Sequence, residues 1–277
     1  MNFLYESVSK AFSTKFLTSQ ADSLVLATRP SNSYGSRFVL GEFNVHNRSG
    51  SSCMVGIGGR LPVSLWSAGL WDDSAYAAGT VYADDTTDWQ DSGTGDFALG
   101  TQSVNDDGFL ISCSVPFSIV SLVVGTAASG GSPAFSLHYS INSAGNGFSS
   151  NYGTISNPYV APLFTSTGEQ LIWFEPPTDW AAVTSTTAVA NKHGATVPSG
   201  YAILVKQTTA GSVSPGLGNI AVVGRMMMTT EGVTDNDILS NIGGREIALP
   251  PQCDAICAAI STANSQNRVD VKYRYAG

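Results

Sequence analysis

Five aspartates, Asp84, Asp85, Asp88, Asp91 and Asp96, crowd the first half of one Gly-rich stretch, Val81 to Cys113. Carboxylates carried on flexible loops are the oxygen ligands that calcium takes. These five residues are therefore the candidate metal ligands, and calcium the candidate cofactor. The D-x-[DN]-x-[DN]-G spacing of a helix-loop-helix calcium site is absent, and Asp in a Gly-rich loop also serves as ordinary turn chemistry. A glycosidase would need a carboxylate pair with one pKa raised by apolar surroundings. The polar neighbours of these aspartates offer none.

Tryptophans are the second set with chemical use. Trp66, Trp71, Trp89 and Trp180 lie in loop-like sequence, where an exposed indole can stack on a sugar or pack against a partner. Trp173 sits in the apolar run Leu171–Phe174 and reads as core. The chain has three histidines, His46, His138 and His193, the first two at outward positions of strands. It lacks the G-x-S-x-G elbow and the H-E-x-x-H motif, and Gly216-x-Gly218 lacks both a third glycine and a βαβ setting. Catalytic residues are thus expected to be none. The four cysteines, Cys53, Cys113, Cys253 and Cys257, lack the tight C-x₂-C pairs of structural zinc sites and read as free buried thiols.

The elements that must position these side chains read as strands. Phe109, Ile111 and Cys113 alternate with Leu110 and Ser112, and the preceding Asn105-Asp106-Asp107-Gly108 supplies the positive φ that a tight turn needs. Phe38 and Leu40 share one parity and Phe43 and Val45 the other, so Gly41 between them marks a β-bulge. Asn47–Gly50 is a turn, although Asn47-Arg48-Ser49 is formally a glycosylation sequon. Further strands are expected at Cys53–Ile57, Phe117–Val124, Phe135–Tyr139, Leu171–Phe174, Tyr201–Val205 and Asn219–Met228, whereas Gly58–Tyr76 reads as irregular. Two helices are expected. Leu4, Val8, Phe12 and Phe16 recur every four residues, and Cys253, Ile256, Cys257, Ile260 and Ala263 follow Pro250-Pro251 at helical spacing. Val269, Val271, Tyr273 and Tyr275 alternate strictly with Asp270, Lys272 and Arg274. This is the clearest strand, and it is the candidate assembly element, free either to close its own sheet or to add to a neighbour's.

The expected architecture is mainly β, a sandwich or jelly-roll-like domain at 36–230 with an N-terminal arm at 1–35 and a helix-plus-strand extension at 231–277. Charged residues make up only 12% of the 277, with Gly, Ser, Thr, Asn and Ala in their place, a composition that suits close packing in an assembly. The net charge of -8 and the lack of a Lys/Arg cluster argue against nucleic acid as a direct partner. No apolar run long enough for a membrane-spanning helix is present, and the first residues lack the basic and apolar regions of a signal peptide.

Thr80–Phe117 and Ile172–Val205 resemble tailed-bacteriophage virion proteins of the capsid-decorating or cementing kind, built on β-sandwiches. The resemblance rests on Asp84-Asp85-Thr86-Thr87-Asp88, Gly108-Phe109-Leu110, Val115-Pro116-Phe117 and Pro177-Thr178-Asp179-Trp180. It implies a non-enzymatic structural role in the virion, assembled in the host cytoplasm, with the major capsid protein among its partners. It also implies a homo-oligomer, with a trimer as the expectation. The alternative is a carbohydrate- or receptor-binding tail or fibre module that uses Trp66, Trp71, Trp89 and Trp180.

Overall fold

In the computed structural model the described residues are 11–16, 27–28, 37–63, 66–71, 82–91, 97–98, 108–141, 152–159, 161–183, 199–209, 216–226, 230–241, 244–262 and 264–276. Among the described residues the chain is mainly β, 58% strand and 3% helix, and the strands pair antiparallel. The first six strands are β1 (Ala11–Phe16), β2 (Ala27–Thr28), β3 (Arg37–His46), β4 (Cys53–Pro62), β5 (Trp66–Trp71) and β6 (Tyr82–Asp84), and they lead into a one-turn helix, α1 (Thr86–Gln90). Next come β7 (Phe97–Ala98), β8 (Gly108–Cys113), β9 (Ile119–Thr126), β10 (Ala134–Ser140), β11 (Tyr152–Thr154), β12 (Gly168–Trp173), β13 (Tyr201–Thr209) and β14 (Gly216–Met226). The tail holds β15 (Thr230–Val233), β16 (Ile238–Ser240), β17 (Ile247–Ala248), β18 (Ala255–Ile260) and β19 (Arg268–Ala276).

Two compact units divide the chain, one made of 1–62 with 225–277, the other of 63–224. The breaks thus fall near Pro62 and Arg225 rather than at 35 and 230. The expected arm, the first strands and the expected tail extension all belong to one unit. Long-range pairing of β1 and β3 with β19 is the reason, and contiguous sequence gives no hint of it.

In the discontinuous unit, β19 lies between β1 and β3, with β16 and β17 on β3. A second layer has β4 flanked by β15 and β18, with β2 on β18. Phe38, Leu40, Phe43 and Val45 of β3 and Val269 and Val271 of β19 meet Val55, Ile57, Ile256 and Ile260 in one core. The Gly41 bulge is present. Between the pairs Phe43↔Val271 and Leu40↔Tyr273, β3 spends two residues against one on β19. A Cβ on Gly41 would lie 3.2 Å from the Lys272 carbonyl oxygen, so the bulge leaves little room there. Asn47 is fully buried and serves the turn after β3. Its Oδ1 accepts from Ser49 N at 3.0 Å, and its Nδ2 donates to the Val233 carbonyl at 2.9 Å. After that turn the chain crosses to the other layer instead of returning beside β3.

Both expected helices are corrected. The described part of the first is the strand β1, while Leu4 and Val8 lie outside the described residues. The second, expected from Cys253 to Ala263, is the strand β18, and all six of its residues are buried. A strand covered on both faces is apolar at every position, so its apolar residues satisfy a helical spacing as readily as a period of two.

The 63–224 unit has its own core. One layer runs β11-β10-β13-β8-β5-β6, and the other carries β9 between β12 and β14, with β7 on β14. Phe109 and Ile111 of β8, Leu137 of β10 and Ile203 and Val205 of β13 pack with Val120, Leu122 and Val124 of β9 and Ile172 of β12. Two layers enclosing one apolar core is the sandwich expected from the strand spacing. Part of the stretch read as irregular, Gly58–Tyr76, belongs to β4 and β5. Of the expected turn, Asn105–Asp107 lie outside the described residues, and Gly108 opens β8 in extended conformation, opposite Lys206.

Candidate functional site

The acidic stretch builds a turn into a one-turn helix. Asp84 ends β6, and its Oδ1 accepts from Thr86 N at 3.0 Å and from Thr86 Oγ1 at 2.6 Å. Thr86 Oγ1 in turn accepts from Ala68 N at 3.0 Å, and Asp85 N donates to the Ala68 carbonyl at 3.1 Å, tying the segment to β5. Asp85 precedes α1, Asp88 lies in its first turn and Asp91 follows it, while Trp89 on the same turn is fully buried. Asp84, Asp88 and Asp91 are exposed, and Asp96 lies outside the described residues. Among the described residues no three acidic, His or Cys side chains converge as metal ligands. What the geometry gives Asp84 is the turn role, with one carboxylate oxygen shared between a backbone amide and a hydroxyl.

The half-buried Asp85 carries the electrostatic cost of this arrangement. Its carboxyl is held above the usual carboxylate range by desolvation and by the charges of Asp88 and Asp84, against a lowering hydrogen bond from the Leu70 backbone. A carboxyl whose pKa is higher folded than unfolded takes stability away once pH rises through its range, and the loss persists at neutral pH. Asp85→Asn is therefore expected to raise the melting temperature at pH 7. The gain should vanish below pH 3.8, the carboxyl's unshifted value, where the native aspartate is itself protonated. Melting curves of both proteins at the two pH values check this, and a lower melting temperature for the variant at pH 7 would refute it.

The tryptophans sit deeper than loop sequence implies. Trp71 is 1% exposed, Trp89 0% and Trp180 8%, and only Trp66, on β5, is half-buried. Trp89 stacks on Phe109 with centroids 5.1 Å apart. Trp180 packs on Phe117 at 5.1 Å, and its Nε1 donates to Ser140 Oγ at 3.1 Å. Ser140 is a junction of three segments: its Oγ also accepts from Ala202 N at 3.1 Å and donates to the Ala181 carbonyl at 2.6 Å. Three of the four candidate indoles therefore serve packing and have no open face for a sugar ring. Near them, two tyrosines reach acidic side chains: Tyr139 Oη donates to Asp179 at 2.9 Å, and Tyr159 Oη to Glu175 at 2.9 Å. Burial and the Glu175 charge push the Tyr159 hydroxyl up to about 12. Spacing gave no signal for either pair, since each joins residues 16 or 40 apart.

The candidate assembly strand is paired along both edges. Val269 and Val271 are fully buried, Tyr273 and Tyr275 half-buried beside Phe38, with ring centroids 6.2 and 5.0 Å from it. On the other face Arg268 grips Asp270 at 2.6 Å, Lys272 meets Glu42 at 2.5 Å and Arg274 meets Glu246 at 2.6 Å. Of the two roles left open by the sequence, closing its own sheet is the one this pairing describes.

His46 Nε2 lies 3.5 Å from Asp270, and His138 is held between Ser136 Oγ at 2.7 Å and Thr154 Oγ1 at 3.2 Å; His193 lies outside the described residues. All four cysteines are free and buried, and burial pushes Cys113 and Cys257 up to about 12, which keeps them as unreactive thiols. No helix among the described residues is long and apolar enough to cross a membrane. Comparison of the chain with protein-family models, curated proteins and solved structures returns no match.

Proposed function

We propose that this chain is a non-enzymatic structural protein of a phage virion that decorates or cements the capsid, with the major capsid protein and further copies of itself as partners. The observation that carries the reading is where the resemblance-bearing residues fall. Gly108-Phe109-Leu110 opens the buried strand β8, Phe117 packs on Trp180, and Pro177-Thr178-Asp179-Trp180 forms the turn that reaches Ser140 and Tyr139. These residues serve the framework of the 63–224 unit, which suits a structural role.

The distribution of charge supports the same reading. The 63–224 unit has 12 Asp and Glu against 2 Lys, a formal -10, with no Lys or Arg between Arg60 and Lys192. The unit made of 1–62 and 225–277 has 9 acidic against 11 basic residues, a formal +2. A nearly neutral surface can pack against neighbouring protein without long-range repulsion, whereas a strongly acidic one resists close approach of its own copies and of nucleic acid. On this reading the discontinuous unit is the one that contacts the particle.

Sedimentation of the purified chain with empty tailed-phage capsids, beside a glycan array, tests the proposal. Saturable co-sedimentation with capsids is expected. Glycan binding without capsid binding would replace this reading by the tail-module one.

A further inference from the structure

The strand β1 is an outlying piece of its sheet. It pairs with β19 from Ala11↔Tyr273 to Phe16↔Arg268, six register pairs, and occupies the sheet's edge. The next described element, β2, is only two residues long and pairs with β18 in the other layer. Ten residues, 17–26, separate them, enough to span up to about 33–36 Å when extended.

A strand held through a backbone ladder meets the same β19 edge whether the edge belongs to its own chain or to another copy. The two states then differ chiefly in tether entropy. A strand tethered to its own chain meets its edge at an effective concentration of roughly the millimolar range. Copies packed side by side in an assembly bring a neighbour's strand to a comparable local concentration, so exchange ties them together without new side-chain chemistry. The unit that owns this edge is also the one with formal charge +2, so little repulsion opposes the close approach that exchange requires.

We infer that residues 11–16 are an exchange arm, and that the β19 edge of a neighbouring copy is its docking site once copies are crowded together. This rests on the assembly reading above and names the partner and the contact: a second copy of this chain, joined by strand addition.

Register partners on adjacent antiparallel strands lie within disulfide reach. The full chain carrying Phe12→Cys and Lys272→Cys, with Phe16→Cys and Arg268→Cys as a second variant, is equilibrated at millimolar and at micromolar concentration and then oxidised with glutathione disulfide. The native thiols are buried and stay out of the reaction. Non-reducing electrophoresis should give cross-linked species of twice the chain mass or more at the high concentration and intrachain links when dilute. Intrachain links alone at both concentrations, or no link in a variant with native circular dichroism, would overturn the inference. The gel needs no capsid, so loss of the capsid reading would show separately, as absent co-sedimentation.

Discussion

Removing residues 268–277 is expected to abolish the fold of the unit made of 1–62 and 225–277. The deletion takes out β19, the strand that bridges β1 and β3, and with it two complete ladders. It removes Val269 and Val271 from the core, each worth about 1.5–3 kcal/mol of burial. It also opens the edge of β3, the strand that carries the fully buried Phe38, Leu40 and Val45. With a typical total stability of about 5–15 kcal/mol, a unit cannot lose a central strand of this kind and stay cooperative. Amide hydrogen exchange checks the outcome by region: peptides from 37–62 and 230–260 should exchange at unfolded-chain rates. A truncated protein that keeps protection there and loses only oligomerisation would return β19 to the role of an assembly strand.

Gly108→Ala is expected to destabilise the other unit by about 3 kcal/mol or more, the upper end for overpacking. Gly108 faces Lys206 across the β8–β13 pair and Trp71 across the β8–β5 pair. A Cβ there would overlap the Val205 carbonyl oxygen, which is backbone and cannot swing aside as a side chain would. Relief requires parting β8 from β13 at the row where Phe109 and Val205 enter the core. Chemical denaturation should show a lower midpoint at unchanged slope. An alanine variant within about 0.5 kcal/mol of the parent, the usual range for a surface change, would disprove this account of the glycine.

Much of the β architecture was legible in the chain because it depends on local alternation. Phe135, Leu137 and Tyr139 alternate with polar residues in a strand whose two faces meet different surroundings, and the sequence alone placed it. The same holds for Val269 to Tyr275, and for the bulge, where a parity switch coincides with Gly41. Low charge and free thiols followed from composition and spacing.

What only the tertiary structure decided concerns residues whose surroundings come from distant parts of the chain. Ala255–Ile260 is a strand because β4 and β2 flank it, although its own residues satisfy a helical spacing equally well. Trp89 looks like a loop residue beside aspartates, yet Phe109, twenty positions on, gives it a core. Gly108 looked like a turn glycine, and its requirement comes instead from a carbonyl on β13. The carboxylates show the same division. Residue type and clustering marked Asp84 to Asp96 as a candidate site, while Thr86 and the edge of β5 assign Asp84 to a turn. Alternation reports how a strand's two faces differ, and that difference is written locally. Burial on both faces, close backbone approach and the partner of a polar atom are set by segments far away in sequence, and they come into being only when the sheets close.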